Sequence, residues 1–296
     1  MLSGIIPALV TPLTAADQVD TPALARLVEH LLASGVSGLY VCGSTGEGLL
    51  LGEEERRLVA ETVVRQARGR VPVVIHVGAV STQEAERLAR HAREAGADAL
   101  AAIPPFYYAL DDQAIAEHYR RIARAGGLPL YIYNIPSATN VSVSPALARQ
   151  LFAEGVVQGL KYTACDQLAF RAIIEACGPG FNILSGPDEM LLPFLAMGAH
   201  GAIGTTYNCL PRLAVRLHAA WQARRIEEAQ ELQFCIDRFV LTLRDYGIIP
   251  GVKAVLEMLG HACGGPRAPI PALSQAQQGR LREDLEDLGF FRWVEG

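Results

Sequence analysis

The sequence predicts a closed (β/α)8 barrel of the TIM type, extended at its C-terminal end by a set of helices. Eight short apolar runs alternate with amphipathic stretches of helical spacing along most of the chain, and strand signals cease after Tyr207. This alternation is typical of a parallel sheet, either an open doubly wound sheet or a closed barrel, and the count of eight favours the barrel. We expect residues 1–224 to form the barrel and residues 225–296 to form a helical extension packed on it.

Each predicted strand is a run of three to seven residues, which suits the short strands of a barrel. The predicted strands are residues 5–10, 38–42, 71–77, 99–103, 130–134, 156–161, 181–184 and 201–203. Residues 84–95 exemplify the helices between them, because their apolar side chains recur at helical spacing. The helices predicted after Tyr207 are residues 210–225, 227–246, 252–259 and 275–288.

Hydroxyl side chains mark several predicted helix starts. Ser81 and Glu84 have the spacing of a capping box. Thr21 and Ser144 each precede a proline that suits the first helical position, so we expect both hydroxyls to be N-caps. Gly96 follows a helical stretch and is a stop signal.

The bulk composition disfavours several classes of function. The chain of 296 residues is half hydrophobic, which is enough for a large core, and its formal net charge of −5 leaves no basic surface for nucleic acid. The first residues lack the charged and long apolar regions of a signal peptide, and no apolar run reaches membrane-spanning length. We therefore expect a cytoplasmic protein whose partners are small molecules rather than nucleic acid or a membrane.

The six cysteines are scattered, without a C-x-x-C pair or a histidine at ligand spacing. This pattern disfavours a disulfide framework and a zinc site, so we expect no metal and no organic cofactor, and we interpret the thiols as small hydrophobic groups of the core. They are Cys42, Cys165, Cys177, Cys209, Cys235 and Cys263.

Lysine is rare in this chain, because only Lys161 and Lys253 occur among 26 lysines and arginines. Lys161 lies in the apolar run 156–163, where an arginine would keep its proton but a desolvated lysine can become a neutral amine nucleophile. A lysine there is typical of a Schiff-base former. The alternative is a strand-end lysine with a buried stem and a hydrated ammonium, which spacing alone leaves open. We interpret Lys253, at the start of an extension helix, as structural.

The position of Lys161 in the predicted barrel favours the catalytic interpretation. Active sites of such barrels lie at the C-terminal ends of the strands and in the loops that follow. Lys161 ends the sixth predicted strand and Tyr133 lies at the end of the fifth. Residues 43–47 follow the second strand and residues 205–208 follow the eighth, so four polar segments converge on one face.

Each remaining candidate has a structural alternative. The glycine-rich loop 43–48 can receive a carboxylate or phosphate through its backbone N–H groups, or it can be an ordinary tight turn. Tyr133 can move protons, or it can fill space with its hydroxyl on a backbone partner. We interpret His76, within a buried strand, as an interior histidine with satisfied nitrogens rather than a base. Asp188 and Glu189 begin a helix, where acids suit the helix dipole whatever their function.

Five segments in order along the chain carry a family resemblance. They are Gly-Ser-Thr-Gly-Glu at 43–47, Pro-Phe-Tyr-Tyr at 105–108, Tyr-Ile-Tyr-Asn-Ile-Pro at 131–136, Gly-Leu-Lys at 159–161 and Gly-Ala-Ile-Gly-Thr-Thr-Tyr-Asn at 201–208. With them the chain resembles the pyruvate-dependent class I aldolases, the family that contains dihydrodipicolinate synthase and N-acetylneuraminate lyase.

The resemblance implies a role for each matching residue. Lys161 forms an imine with the ketone of pyruvate or another 2-oxo acid, and Tyr133 moves protons during imine formation and carbon–carbon bond cleavage. Ser44 and Thr45 hold the substrate carboxylate, and Thr45 also belongs to the catalytic set. Tyr107 completes a hydroxyl relay, commonly across a subunit contact in this family, which implies a homotetramer built from dimers.

The resemblance also bears on the substrate. Dihydrodipicolinate synthases place an arginine soon after the Asn-x-Pro turn, and residues 137–140 contain none. Sialic acid lyases bind the hydroxylated tail of the sugar through residues that match Thr163, Gly186, Asp188, Glu189 and Thr205, the last being serine in those lyases. We expect cleavage of N-acetylneuraminate to pyruvate and N-acetylmannosamine. The alternatives are an aldolase or dehydratase of another 2-keto-3-deoxy sugar acid, then dihydrodipicolinate synthase, then a non-catalytic 2-oxo acid sensor.

Overall fold

Eight parallel strands form a barrel in the computed structural model, which describes residues 1–295. The strands are β1 (Gly4–Pro7), β2 (Leu39–Val41), β3 (Val73–His76), β4 (Ala99–Ala102), β5 (Leu130–Asn134), β6 (Gly159–Tyr162), β7 (Asn182–Ser185) and β8 (Gly201–Gly204). From β2 to β8 each strand pairs with its neighbours in sequence, and β1 pairs with β8. A bridge between Ala8 and Tyr40 joins β1 to β2, with the Leu9 N–H donating to the Tyr40 carbonyl at 2.9 Å, and so closes the ring.

Helices alternate with the strands and then continue alone. Within the barrel they are α1 (Thr21–Ala33), α2 (Glu53–Ala67), α3 (Thr82–Ala95), α4 (Asp112–Gly126), α5 (Pro136–Thr139), α6 (Pro145–Ala153), α7 (Gln167–Cys177), α8 (Leu191–Ala196) and α9 (Pro211–Gln222). The C-terminal helices are α10 (Ile226–Arg244), α11 (Ile248–Met258), α12 (Gln275–Leu288) and α13 (Phe290–Glu295). The predicted fold class is confirmed. Within residues 1–295, no helix combines the length and the apolar character needed to cross a membrane.

The side chains of each strand divide between two layers of core. Successive residues of a strand face opposite sides of the sheet. Ile5 packs between the strands and the helices, whereas Ile6 packs with Tyr133 inside the barrel. Lys161 is the partner in register of Tyr133, and partners on neighbouring parallel strands face the same side. Lys161 therefore points into the barrel interior, beside Tyr133.

Two of the three predicted helix caps are confirmed. The hydroxyls of Ser81 and Ser144 each accept a backbone N–H from the third helical residue, at 3.2 and 3.1 Å. The prediction for Thr21 is wrong, because Asp20 is the N-cap and its carboxylate accepts the Ala23 N–H at 2.9 Å. A carboxylate acceptor forms the stronger, charge-assisted hydrogen bond, so Thr21 becomes the first helical residue instead.

The cysteines divide between the core and the surface. Cys42, Cys209 and Cys263 are buried, as predicted. The interpretation of all six thiols as core groups is wrong for Cys165, which is exposed. Cys165 lies just after β6, where the chain has left the barrel and lines an open cavity rather than the core.

Lys253 has the structural role that the sequence predicts. Its ammonium lies 2.6 Å from a carboxylate oxygen of Glu47, and both side chains are almost fully buried. It also donates to the carbonyl of Gly265 at 2.9 Å. The other carboxylate oxygen of Glu47 accepts the backbone N–H of Arg267. This buried pair joins the loop after β2 to α11 and to the segment that follows it.

Breaking this pair from one side is expected to destabilise the fold strongly. Lys253→Met leaves the Glu47 carboxylate buried without its counter-ion, which costs about 3–5 kcal/mol of unfolding free energy. Denaturant unfolding followed by circular dichroism measures the loss. Arg124→Ala is the control, because Arg124 is 67% exposed and pairs with Glu117 at the surface, where about 0–1 kcal/mol is expected. Equal losses in the two variants would contradict this role for Lys253.

Candidate active site

Lys161 is enclosed by aromatic rings rather than paired with a carboxylate. Its side chain is buried in the barrel interior, with only 4% of the residue exposed. Nζ lies 4.2 Å from the ring centroid of Tyr133 and 4.6 Å from that of Tyr40. No carboxylate within residues 1–295 forms an ion pair with it. The rings can hold a cation without a counter-ion, and the amine stays available for reaction. This placement excludes the interpretation of Lys161 as a surface-hydrated lysine.

Tyr133 is fixed by its neighbours and directs its hydroxyl at the loop after β2. Its ring meets Tyr40 and His76 edge to face, with centroids 5.9 and 5.7 Å away. Its hydroxyl oxygen lies 3.3 Å from Oγ of Ser44. A phenol used only as a core filler is expected to bond a backbone group. Here the partner is a second hydroxyl, which is suited to passing a proton.

His76 is an interior histidine with both ring nitrogens satisfied, as predicted. Nε2 accepts the Ile103 N–H at 3.3 Å, so the proton lies on Nδ1, which donates to the Cys42 carbonyl at 3.1 Å. Burial lowers the pKa of His76 to about 3, with a further contribution from the nearby Arg56 guanidinium. The imidazole is therefore neutral, and it adds no second positive charge to the wall around Lys161.

Arg56 is a supporting residue that the sequence did not reveal. It comes from α2, yet it is buried, and its two terminal nitrogens donate to the carbonyls of Gly78 and His76 at 3.0 and 2.7 Å. These bonds hold the end of β3 and hence the His76 ring. The run Glu-Glu-Glu-Arg-Arg at 53–57 is typical of a solvated helix face, so no local signal distinguishes Arg56 from its neighbour.

The loop after β2 is a strained turn that leaves donors free. Cys42 and Glu47 both have positive φ angles, 59° and 56°, which are uncommon for residues other than glycine. The backbone N–H groups of Ser44 and Thr45 donate to no backbone acceptor within residues 1–295. Oγ1 of Thr45 lies 2.6 Å from Oγ1 of Thr205. Free amides beside hydroxyls form a site that suits a carboxylate.

A cavity of about 540 Å³ adjoins this loop on the side of β6, β7 and β8. Its lining includes all five residues to which the resemblance gives a role in binding the substrate tail: Thr163, Gly186, Asp188, Glu189 and Thr205. Oγ1 of Thr163 and Oδ1 of Asp188 are buried without a hydrogen-bond partner in the described chain. Buried polar atoms without a partner are costly, so neither residue is placed here for the stability of the fold alone.

Asp188 is a buried acid whose carboxylate is bonded to the loop after β8. Its Oδ2 accepts the Thr206 N–H at 2.6 Å. Burial nevertheless raises the pKa of the carboxyl from 3.8 to about 6. Because this pKa is higher in the folded chain than in the unfolded one, the carboxyl contributes most to the folded state below about pH 4. That contribution is lost as the pH rises through about 6. A helix-start acid kept for stability would have the opposite effect.

Two glycines let these side chains approach the strands. A Cβ atom at Gly204 would lie 1.8 Å from Oδ1 of Asp188, and one at Gly186 would lie 1.9 Å from Oγ1 of Thr163. Neither contact is possible for a real side chain, so both positions require glycine. Gly186 was a candidate from the sequence, whereas Gly204 was recognised only as part of a motif.

The comparisons with known proteins identify the family of the chain. Residues 1–288 match the dihydrodipicolinate synthetase family. The chain belongs to this family. It is 39% identical over 282 residues to the N-acetylneuraminate lyase of Rhizobium meliloti (strain 1021), an alignment that covers 95% of this chain and 94% of that protein.

Two further relatives show the breadth of the family. The chain is 36% identical to the 4-hydroxy-tetrahydrodipicolinate synthase of Methanopyrus kandleri, with 97% of each protein covered. A sialic acid aldolase of Ruminococcus gnavus, solved as a catalytic lysine mutant, has a TM-score of 0.94 and 30% identity, covering 98% of this chain and 96% of that one. The resemblance seen in the sequence is confirmed. The chain is an enzyme, a carbon–carbon lyase of the pyruvate-dependent class I aldolases that acts on small molecules.

Within one chain, Tyr107 does not lie near the other candidate site residues. It lies in the segment between β4 and α4, 77% exposed, with its ring edge to face against Tyr108 at 5.0 Å. It lines neither the cavity beside β6, β7 and β8 nor the surroundings of Lys161. The role that the resemblance gives to Tyr107 therefore requires a second copy of the chain, and it stays a prediction.

Proposed function

We propose that Lys161 forms a Schiff base with a 2-oxo acid and that the enzyme cleaves N-acetylneuraminate to pyruvate and N-acetylmannosamine. The observation that carries the proposal is the Lys161 amine, buried over the Tyr133 ring without a carboxylate partner. The catalytic lysine named for the Ruminococcus gnavus aldolase supports it. We also propose that the barrel of residues 1–224 and the extension of residues 225–296 act in a cytoplasmic homotetramer, in which Tyr107 completes the site of a neighbouring chain.

In the proposed mechanism, the imine stores the electrons of the broken bond. The Lys161 amine attacks the C2 ketone of the open-chain substrate, and loss of water leaves a protonated imine. Removal of the proton from the C4 hydroxyl forms the aldehyde of the leaving sugar and breaks the C3–C4 bond, whose electron pair passes into the imine. Protonation of the resulting enamine at C3 and addition of water release pyruvate and restore the amine. The Tyr133 hydroxyl, beside Ser44, carries these protons.

The two ends of the substrate would be bound in different parts of the site. The free amides of Ser44 and Thr45 suit the carboxylate next to the ketone. Thr163, Asp188 and Glu189 line the adjoining cavity and offer the hydroxyl and carboxyl groups that suit the hydroxyls of the sugar tail. Identity to a named N-acetylneuraminate lyase supports this substrate. Residues 137–140 lack an arginine that could receive the second carboxylate of a synthase substrate.

Thr205 favours a second candidate substrate, another 2-keto-3-deoxy sugar acid handled by aldol cleavage or dehydration. Its hydroxyl is bonded to Thr45 at 2.6 Å, beside the proposed carboxylate site. The sialic acid lyases that this chain resembles have serine at this position. The additional methyl group of threonine narrows the space between the proposed carboxylate site and the part of the cavity that would hold the substrate tail. The same imine chemistry serves either substrate.

Borohydride trapping tests the reaction class directly. Pyruvate followed by borohydride should leave a reduced, stable adduct on Lys161, located by peptide mass mapping. Lys253 is the internal control, because it is the only other lysine in the chain and its ammonium is held by Glu47. Intact protein without an adduct on Lys161 would refute Schiff-base formation at this residue. A coupled pyruvate-release assay across sialic acids and 2-keto-3-deoxy sugar acids then ranks the substrates.

Asp188→Asn and Glu189→Gln are expected to weaken binding of the tail without affecting imine formation. A site built to bond a hydroxyl loses most when one partner is missing, so kcat/KM should fall about 10- to 100-fold. Trapping with pyruvate, which has no tail, is the control and should proceed as in the wild type. Normal kinetics on the sugar acid would leave both residues as helix-start acids, and the sialic acid substrate would then be withdrawn before the aldolase assignment.

A further inference from the structure

Helix α10 lines one side of the cavity beside β6, β7 and β8, although it lies in the C-terminal extension. Val240 and Arg244 of this helix line the cavity. Gln233, earlier in the same helix, is buried. Its side-chain NH2 donates to the Asp188 carbonyl at 3.1 Å, and its side-chain oxygen accepts the Leu192 N–H at 2.8 Å. The extension thereby holds the backbone of the turn that carries Asp188.

Arg244 holds a side chain of the same turn. Its Nη2 donates to Oε1 of Glu189 at 3.0 Å, and both residues line the cavity. The second carboxylate oxygen of Glu189 accepts no hydrogen bond within residues 1–295. A glutamate that is already held loses less rotamer freedom when a ligand binds, so it binds a hydroxyl more tightly than a mobile one.

The charges at this end of the cavity disfavour a second acid group on the substrate. Asp188 and Glu189 supply two carboxyls, and Arg244 supplies one guanidinium, which is already paired with Glu189. A carboxylate or phosphate at the end of the tail would meet an excess of acid groups. Neutral hydroxyls, by contrast, can donate to both carboxyls.

We propose that Arg244 is a positioning residue that fixes Glu189 and so selects a 2-oxo acid with an uncharged, polyhydroxylated tail. The inference rests on the proposed function, since it concerns the tail of the same substrate. Arg244 is 57% exposed, and an ion pair at such a site contributes little to stability. Its removal is therefore expected to change binding and leave the fold intact.

A double-mutant cycle tests whether Arg244 acts through Glu189. Pyruvate release is measured for wild type, Arg244→Ala, Glu189→Ala and the double variant, on N-acetylneuraminate or on whichever 2-keto-3-deoxy sugar acid is cleaved faster. We expect Arg244→Ala to raise KM about tenfold with kcat within about twofold, the effect of one charge-assisted hydrogen bond used in binding. The double variant should be no worse than Glu189→Ala, because residues that act through one another are not additive.

Two further variants sharpen the test. Arg244→Lys keeps a cation and should recover part of the wild-type KM. Arg238→Ala removes an exposed arginine of the same helix that does not line the cavity, and it should behave as wild type.

Three results would overturn the inference. They are a wild-type KM for Arg244→Ala, a loss that adds to that of Glu189→Ala, and faster cleavage of a sugar acid that carries a second acid group at its end. A wild-type enzyme that is trapped by pyruvate but releases it from none of these substrates would refute the proposed substrate and this inference together. The two kinds of failure are thus distinct.

Discussion

Lys161→Arg is expected to abolish turnover on every 2-oxo acid substrate while the barrel stays folded. Arginine keeps the positive charge but cannot lose a proton and attack a ketone, so no imine forms. The loss should be on the order of 10⁶-fold, comparable with removal of the nucleophile from other covalent enzymes. The guanidinium can stack on the rings of Tyr40 and Tyr133 that now enclose the ammonium. Single-turnover pyruvate release and borohydride trapping measure the two consequences.

The control for Lys161→Arg tests whether a lysine outside the barrel interior can also form the adduct. Arg124→Lys adds a lysine on the exposed face of α4, far from the aromatic enclosure, and it should gain no pyruvate adduct. Circular dichroism and the melting temperature check that both variants are folded. Residual pyruvate release by folded Lys161→Arg at more than a small fraction of the wild-type rate would show that the reaction does not pass through an imine at this residue.

Tyr133→Phe is expected to lower kcat on the order of 10²- to 10⁴-fold, the usual contribution of a positioned acid–base group. The substitution keeps the ring and its edge-to-face contacts with Tyr40 and His76, and it removes only the hydroxyl that meets Ser44. The loss should therefore appear in proton transfer rather than in folding. Steady-state kinetics together with the rate of adduct formation separate cleavage from imine formation.

Tyr40→Phe is the matched control for Tyr133→Phe. Tyr40 lies in the same aromatic enclosure, its ring is the other one beside the Lys161 ammonium, and its buried hydroxyl has no hydrogen-bond partner in the described chain. Its loss is expected to change kcat by less than about tenfold. Comparable losses in the two variants would show that the loss in Tyr133→Phe is not specific to its hydroxyl. Near-normal turnover of Tyr133→Phe would remove Tyr133 from the mechanism.

The sequence predicts the barrel, and the end of the barrel at which the site lies, because both depend on local patterns. The apolar runs have the length and spacing of barrel strands, and the barrel rule places Lys161, Tyr133 and the loop 43–47 on one face. The strand register then shows that the two side chains face the barrel interior side by side, since Tyr133 and Lys161 are partners on neighbouring strands. This is why the alternative of a hydrated lysine could be excluded only with the structure.

The remaining features depend on contacts between residues far apart in sequence. Glu47 and Lys253 are separated by some 200 residues, and nothing near either residue announces the other. Arg56 looks like a surface residue until the end of β3 is placed against it. Arg244 lies in an extension helix and enters the cavity only because α10 packs on the turn after β7. No periodicity or motif encodes such pairings.

The buried contact between Glu47 and Lys253 limits how the enzyme can be recombined with its relatives. A chimera that joins the barrel of one family member to the extension of another inherits one acid and one base from different parents. Unless both parents carry this pair, the hybrid buries a lone charge beneath the loop that carries Ser44 and Thr45. Crossover points for family shuffling should therefore keep residues 47 and 253 from the same parent, even though a boundary near residue 224 looks natural in the sequence.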